Sequence, residues 1–127
     1  MPITTIGLAK VGLYSIPTSR PTPQIIFHWR VDCSRLRDPI GQHHLRGKDG
    51  RDKEVQDFLI KDPRVEPILH AIRMIAAERQ NWTTIAFHDY HGKWISTAMV
   101  ELALADLDAN GYAVAKSHHS FLHVAGT

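Results

Sequence analysis

Apolar and polar residues form blocks along this chain, and the blocks rich in β-branched and aromatic residues predict strands. The run Gln24 to Asp32 predicts a largely buried strand, and Trp82 to His88 predicts a second. Tyr112 to Ser117 predicts the last strand, and the short run Ile3 to Leu8 predicts one near the start. Three prolines between Ile16 and Pro23 predict a loop.

Three other segments repeat apolar residues at helical spacing. They are Lys53 to Ile60, Glu66 to Arg79 and Lys93 to Asp108. Pro67 suits the first turn of the second helix, and the pair Asn110-Gly111 is typical of the end of the third. The residues predicted to face inward are Val55, Phe58, Leu59, Ile68, Leu69, Ile72, Ile75, Ala76, Ile95, Ala98, Met99, Leu102 and Ala103.

Strand, helix, strand, helix, strand is the order of an α/β fold whose sheet is mostly parallel or mixed and carries flanking helices. The 127 residues are enough for one domain with its own core and too few for two ordinary ones. Within this single domain, residues 1–23 form an N-terminal strand and proline-rich loop, and residues 24–127 form the main α/β part. Residues 35–52 are the longest irregular segment, and long loops are often functional.

Composition narrows the class of protein. Hydrophobic residues make up 43% of the chain, which indicates a globular protein, and the net charge of +2 without a run of Lys or Arg gives no sign of a nucleic-acid binder. Cys33 is the only cysteine, so no internal disulfide forms and a reducing compartment is expected. We expect a cytoplasmic protein, because neither a membrane-spanning stretch nor a signal peptide is recognisable.

The junction between the Trp82 strand and the helix from Lys93 is the strongest candidate site. A strand–loop–helix junction presents backbone N–H groups and a helix N-terminus to one point, where a phosphate or other anion can bind. The loop also carries His88, Asp89 and His91. Asp32 and the pair His118-His119 follow other predicted strands, and the carboxyl ends of parallel strands meet at one edge of a sheet. The pattern therefore gathers three polar groups at that edge.

Short pieces of sequence at these places resemble one known family. In chain order they are Asp32-Cys33, Leu36, Asp38-Pro39, Leu45-Arg46, Gly50, Asp52, Val55, Phe58-Leu59, Gly92-Lys93, Ser96, Glu101-Leu102-Ala103, Gly111, Val114 and His118-His119. Their order and spacing resemble the C-terminal domain of the RNase adapter protein RapZ. The resemblance implies an α/β domain that senses glucosamine-6-phosphate and binds small RNA and RNase partners. Residues 24–127 would form this domain.

The phosphate-cradling loop of that family, similar to Cys-Thr-Gly-Gly-Lys-His-Arg-Ser, is altered here. Gly92, Lys93 and Ser96 match, whereas Asp89 replaces the cysteine and Ile95 replaces the arginine. A carboxylate repels a phosphate and the lost arginine removes a bidentate partner, so we expect modest affinity for anions. The C-terminal residues hold no Lys or Arg, which argues against RNA binding. No Gly-x-x-x-x-Gly-Lys-Ser/Thr motif occurs, so we predict a stand-alone copy without the P-loop domain.

We predict a regulatory, non-catalytic module that binds a small anionic ligand, a phosphate or sugar phosphate, without a cofactor and without a membrane. The predicted ligand-binding residues are Asp32, Asp38, Asp89, Tyr90, His91, Gly92, Lys93, Ser96, His118 and His119. Within this set, Asp89 has a second interpretation as a cap of the following helix. The sequence leaves a homo-oligomer or a protein partner open.

Two other functions stay open from the sequence. One is a metal-dependent hydrolase, whose candidate ligands are His88, Asp89, His91 and His118, because imidazole and carboxylate suit a divalent transition metal. The other is a structural or partner-binding domain whose pocket has decayed. The changed residues of the loop motivate this last interpretation.

Overall fold

Four parallel strands form the sheet in a computed structural model of the protein. The residues that the structure describes are 11–19, 27–36, 42–78 and 82–121. The strands are β1 (Val11–Pro17), β2 (Trp29–Asp32), β3 (Thr83–Asp89) and β4 (Val114–His118). Their order across the sheet is β2-β3-β1-β4. The predicted α/β class is confirmed, and the described strands all run parallel.

In the part of the chain that the structure describes, three α-helices and a short 3-10 helix accompany the strands. The helices are α1 (Lys53–Ile60), α2 (Val65–Glu78) and α3 (Ile95–Ala109), and His43–Leu45 forms the 3-10 turn. The predicted bounds of α1 are confirmed, and those of α2 differ by one residue at each end. Helix α3 ends where the sequence predicts, because Gly111 takes a φ of +86° and its N–H bonds back to the carbonyl of Asp108.

Helix α3 holds the centre of the core. It packs against β1, β3 and β4, while α1 and α2 pack against α3. Residues 95–100 are all buried, so the first turns of this helix are apolar or small on every side, as a fully buried helix requires. The largest completely buried side chains include Phe87, Leu13, Leu59 and Met99. The start of α3 is therefore fixed rigidly below the carboxyl edge of the sheet.

The N-terminal part of the chain departs from the sequence prediction. Strand β1 lies in the middle of the sheet, yet its pattern of Gly12, Tyr14 and Ser15 among apolar residues did not predict a strand. The predicted strand Ile3 to Leu8 falls outside the described residues. Strand β2 begins at Trp29, and Gln24 to Ile26 of the predicted strand fall outside the described residues. The expectation that this strand is largely buried is wrong: it lies at the edge of the sheet among the described strands, and Trp29 is 44% exposed.

Two element boundaries bear on the site. His118, predicted just beyond the last strand, is the final residue of β4 and pairs in register with Ser15. Helix α3 begins at Ile95 and not at Lys93, because the preceding residues form the turn that joins it to β3. Among the described residues, no helix is long and apolar enough to cross a membrane.

Candidate functional site

The carboxyl ends of the four strands bring the candidate residues to one edge of the sheet. Pro17, Asp32, Asp89 and His118 are the last residues of the four strands. The turn of residues 90–94, which we call the cradle turn, rises from β3 and enters α3. This edge is where the topology of a parallel sheet places ligands.

Asp89 is the anchor of the cradle turn. Its carboxylate is 6% exposed and accepts hydrogen bonds from the backbone N–H of Gly92, from the N–H of Ser96 at 3.0 Å and from the Ser96 hydroxyl at 3.0 Å. These donors are the ones that a phosphate at the start of α3 would use. The chain's own carboxylate therefore occupies the helix N-terminus, which agrees with the capping interpretation of Asp89.

Gly92 lets the cradle turn press against the neighbouring strand ends. Its φ is +68°, and a Cβ atom placed there would come within 2.6 Å of the Ser120 hydroxyl oxygen and 2.7 Å of the Pro17 nitrogen. The Ser120 hydroxyl also donates to the carbonyl of His91 at 2.6 Å. The segment that follows β4 thus touches the turn that follows β3.

The loop of residues 48–52 closes the other side of the cradle turn. The N–H of Gly50 donates to the carbonyl of Lys93 at 2.7 Å, and the indole N–H of Trp94 donates to the carbonyl of Lys48 at 3.0 Å. A Cβ on Gly50 would lie 2.4 Å from the Trp94 carbonyl oxygen, so only glycine fits this approach. The backbone of the cradle turn is consequently held on both sides.

The side chains of the cradle turn point outward around that fixed backbone. Tyr90 is 65% exposed, and the His91 ring meets Tyr90 and Trp94 edge to face at 4.8 and 5.0 Å. Lys93 is half-buried, and no hydrogen bond or ion pair joins its ammonium group to another residue that the structure describes. Lys93 is therefore the cation available to an anion at this turn.

The remaining predicted site residues are Asp32, Asp38 and His119. Asp32 is exposed and accepts the N–H of Ser34 at 2.9 Å; this hydrogen bond is the main cause that lowers the pKa of the carboxyl. It stands on the edge strand β2, three strand spacings from β4, which is about 14 Å. His119 is half-buried after β4. Asp38 falls outside the described residues.

A buried polar chain that the sequence did not predict runs beside the cradle turn. His118 Nε2 lies 2.6 Å from a carboxylate oxygen of Glu101, and its Nδ1 lies 2.8 Å from the Ser15 hydroxyl. The Thr97 hydroxyl lies 3.2 Å from the Ser15 oxygen and donates to the Gly92 carbonyl at 2.8 Å. Ser15 lies on β1 and His118 on β4, far apart in the sequence, whereas Thr97 and Glu101 lie one turn apart on α3. No local pattern therefore links the strand residues to the helix.

Burial and nearby charges have opposite effects on the pKa values of His118 and Glu101 in this polar chain. Burial lowers the pKa of His118 below its ordinary value, although the Glu101 carboxylate favours the charged imidazolium. Burial also opposes the ionisation of Glu101, but hydrogen bonds from Lys116 and His118 outweigh it and lower the pKa of that carboxyl. Lys116 reaches the same carboxylate oxygen at 2.7 Å. Glu101 is therefore an anion, and His118 is predominantly a neutral donor to it near pH 7.

Ser15, His118 and Glu101 have the residue types of a catalytic triad, but their placement differs. The Ser15 side chain is completely buried, and its oxygen is in contact with His118 and Thr97. A nucleophile needs an oxygen that can reach the reacting carbon of a substrate. The chain of hydrogen bonds therefore supports the sheet edge and presents no attacking group.

The four candidate metal ligands do not meet at one point. His88 Nε2 bonds to Arg30 at 3.0 Å, Asp89 caps α3, His91 is exposed and His118 is bound to Glu101. Within the described ranges, no group of three or more His, Cys, Asp and Glu residues is arranged to hold a metal ion. Burial and the charge of Arg30 lower the pKa of His88.

Two further features lie near the edge or away from it. Arg51 stacks over the Phe121 ring at 3.8 Å and forms an ion pair with Asp49 at 2.7 Å, close to the end of β4. A separate groove of about 390 Å³ lies beside α1 and shares no residue with the cradle turn. It is lined by Gln42, His44, Glu54, Asp57, Phe58 and Lys61.

Comparison with known proteins relates the chain to one family. The sequence model of the RapZ C-terminal domain matches residues 10–122. A nucleotide-binding protein of Cereibacter sphaeroides ATCC 17025 is 33% identical over 95 residues, 68% of this chain and 32% of that protein. One from Jannaschia sp. CCS1 is 32% identical over 95 residues, 68% of this chain and 30% of its own length.

A third relative extends the match. The nucleotide-binding protein of Ruegeria sp. TM1040 is 28% identical over 116 residues, which cover 85% of this chain and 38% of that protein. This chain thus spans about a third of the length of these relatives. All the described strands and helices fall within the region that the family model matches, and the chain belongs to the RapZ C-terminal domain family.

Proposed function

We propose that this protein is a regulatory module that binds a small phosphate-bearing ligand at the cradle turn and performs no catalysis. The observation that carries the proposal is a backbone turn held on both sides, next to a cation that has no partner among the residues that the structure describes. Asp89, Gly50 and Ser120 fix the backbone of residues 90–94, and the Lys93 ammonium has no partner among the described residues. A preorganised turn beside a free positive charge favours anion binding, because little ordering is required when the ligand arrives.

The buried Asp89 carboxylate sets where such a ligand sits. Because Asp89 already accepts the hydrogen bonds of Gly92 and Ser96, an added phosphate binds beside these amides and not in their place. Its partners are the Lys93 ammonium and the outward-facing His91 ring. Fewer strong donors and a nearby negative charge make the affinity modest.

The class of ligand is a sugar phosphate or a nucleotide. The relatives carry the name nucleotide-binding protein, and the family resemblance implies a sugar phosphate. Both ligands carry a phosphate dianion, and the cradle turn would bind this shared group. The sugar or base would contact the exposed Tyr90 and the loop of residues 48–52.

Calorimetric titration of the folded protein tests the proposal. We expect saturable binding of at least one of glucosamine-6-phosphate, AMP and inorganic phosphate, and a loss of about tenfold or more in affinity in Lys93→Ala, since a charge-assisted contact disappears. Lys61→Ala is the matched control, because Lys61 is an exposed lysine in the groove beside α1.

The pair of variants separates the competing outcomes. Affinity that falls in Lys61→Ala and not in Lys93→Ala would move the ligand to the groove and reject the cradle turn. Binding of none of the three probes would favour the structural or partner-binding alternative.

A further inference from the structure

The polar chain beside the cradle turn ends on the turn itself. It runs from the Glu101 carboxylate through His118, Ser15 and Thr97 to the carbonyl of Gly92. That carbonyl belongs to the same peptide group as the N–H of Lys93. The chain thus links the ionisable pair Glu101 and His118 to the backbone of the proposed anion site.

When His118 is neutral, the number of available hydrogens determines which group donates in each hydrogen bond of the polar chain. A carboxylate only accepts, so the His118 Nε2 must carry the hydrogen and its Nδ1 must accept from the Ser15 hydroxyl. Ser15 then has no hydrogen left for Thr97. The single hydroxyl hydrogen of Thr97 is shared between the Gly92 carbonyl at 2.8 Å and the Ser15 oxygen at 3.2 Å.

Protonation of His118 reverses its hydrogen bond with Ser15, and this change determines the direction of the hydrogen bond between Ser15 and Thr97. The imidazolium Nδ1–H donates to the Ser15 oxygen, Ser15 donates to the Thr97 oxygen, and the hydrogen of Thr97 belongs wholly to the Gly92 carbonyl. Each hydrogen in the chain is then used once, in one direction. Such aligned chains polarise each other and strengthen every bond.

We infer that His118 is a positioning residue for the cradle turn, and that its protonation tightens the hold of Thr97 on the Gly92–Lys93 peptide and raises the affinity of the turn for anions. The second half of the inference rests on the proposed function. The added positive charge of His118 acts in the same direction as the hydrogen bonds, because it attracts an anion to this edge.

The groups that face His118 come from three elements. Glu101 approaches from α3, Lys116 from β4, and Asp49 with Arg51 from the loop of residues 48–52. Glu101 favours the imidazolium, whereas Lys116 and Arg51 oppose it. The Phe121 ring meets the imidazole edge to face at 6.2 Å. Burial lowers the pKa of His118, so the change falls in mildly acidic solution.

Solution NMR tests the link without any ligand. During a titration of the full chain from pH 7.5 to 4.5, we expect the Lys93 amide and the Gly92 carbonyl carbon to shift with the same midpoint as the His118 ring. In Thr97→Val, which removes the hydroxyl and keeps the shape, His118 should still titrate and the Lys93 amide should no longer follow it. Thr97→Ser, which restores a hydroxyl, should restore the coupling.

The contrary outcomes are equally specific. A Lys93 amide that stays constant while His118 titrates, or that follows His118 unchanged in Thr97→Val, overturns the positioning role. Ser15→Ala interrupts the chain at another link and gives the same decision if Thr97→Val does not fold.

The ligand arm uses inorganic phosphate as its probe. Because coupling between two sites is reciprocal, phosphate should raise the midpoint of His118, and the affinity for phosphate should be about fivefold tighter with His118 charged than neutral. Phosphate that binds without moving His118 contradicts the regulatory half alone. Absence of phosphate binding at every pH contradicts the regulatory half together with phosphate as a ligand of the proposed site, while the shift of the Lys93 amide still decides the positioning role.

Discussion

At the scale of the residue, Asp89 decides the character of the cradle turn. In the family that the chain belongs to, the resembling loop begins with a cysteine, and here a buried carboxylate takes its place. It satisfies two backbone amides and a hydroxyl that otherwise need an external acceptor. The N-terminus of α3 is therefore closed by the chain's own carboxylate.

Replacing Asp89 by Asn should raise the affinity for anions and lower stability. The negative charge disappears, so phosphate should bind up to about tenfold more tightly. The amide nitrogen of the new Asn faces a backbone N–H at a place where Asp89 has an acceptor oxygen. The loss of that hydrogen bond should cost about 1–3 kcal/mol in the free energy of unfolding. Calorimetric titration and urea unfolding measure the two effects.

Asp62→Asn provides the control for Asp89→Asn. Asp62 is also buried, at 3% exposure, but it lies in the link between α1 and α2 and binds Arg64. The control should lose stability without a change in anion affinity. If Asp89→Asn and the unmodified chain bind phosphate with equal affinity, the charge of Asp89 does not weaken anion binding at this site.

At the scale of the element, the cradle turn is packed between two strand ends and the loop of residues 48–52. Gly92 contacts the end of β1 and the segment after β4, and the Lys93 carbonyl accepts from the loop of residues 48–52. The buried start of α3 leaves this turn no room to retreat. Its geometry is therefore set by packing as well as by its own backbone preferences.

Gly92→Ala should destabilise the protein by roughly 2–4 kcal/mol, from a strained positive φ and a Cβ overlap with Pro17. Gly111→Ala separates the two causes, because Gly111 has a φ of +86° and no atom within 4 Å of an added Cβ. We expect only about 1 kcal/mol there. Equal losses of unfolding free energy in the two variants would mean that the turn yields.

At the scale of the whole molecule, the central strand β1 connects the polar edge to the core. It pairs with β3 and β4, and its Ser15 joins α3 to His118. The polar chain therefore lies where the strands and α3 meet. The ionisation of the groups in this polar chain therefore affects the stability of the whole fold.

Stability should fall as the pH is lowered from 7 to 4. His118 has a lowered pKa in the fold, so below its ordinary value of about 6.5 the unfolded chain binds the proton more readily and unfolding is favoured. Glu101 and Asp49 also have lowered pKa values, which adds a further loss below their ordinary values of 4.5 and 3.8. Urea unfolding at closely spaced pH values measures both steps.

His118→Gln should reduce the upper step, to which His88 also contributes because its pKa is lowered as well, and should leave the lower step unchanged. His70→Gln is its matched control, since His70 is exposed on α2, and it should keep both steps. An upper step of unchanged size in His118→Gln would assign the whole step to other groups, such as His88.

The sequence alone determined the elements whose patterns are local. Helical spacing gave α1, α2 and α3, Gly111 ended α3, and β-branched residues predicted β3, since each of these signals lies within one segment. The resemblance to the RapZ C-terminal domain was likewise carried by the order of short pieces and is confirmed by the family model.

Tertiary structure alone decided the rest. Strand β1 has a weak pattern of its own and becomes the centre of the sheet because β3 and β4 pair on both its sides. Strand β2 has a strong apolar pattern and lies exposed at the edge, because burial depends on neighbours and not on composition. Ser15 and His118 stand 103 residues apart and meet through strand register. Long-range pairing, which no local pattern encodes, therefore built the polar chain, whereas the cap that Asp89 forms on α3 joins residues of one short segment.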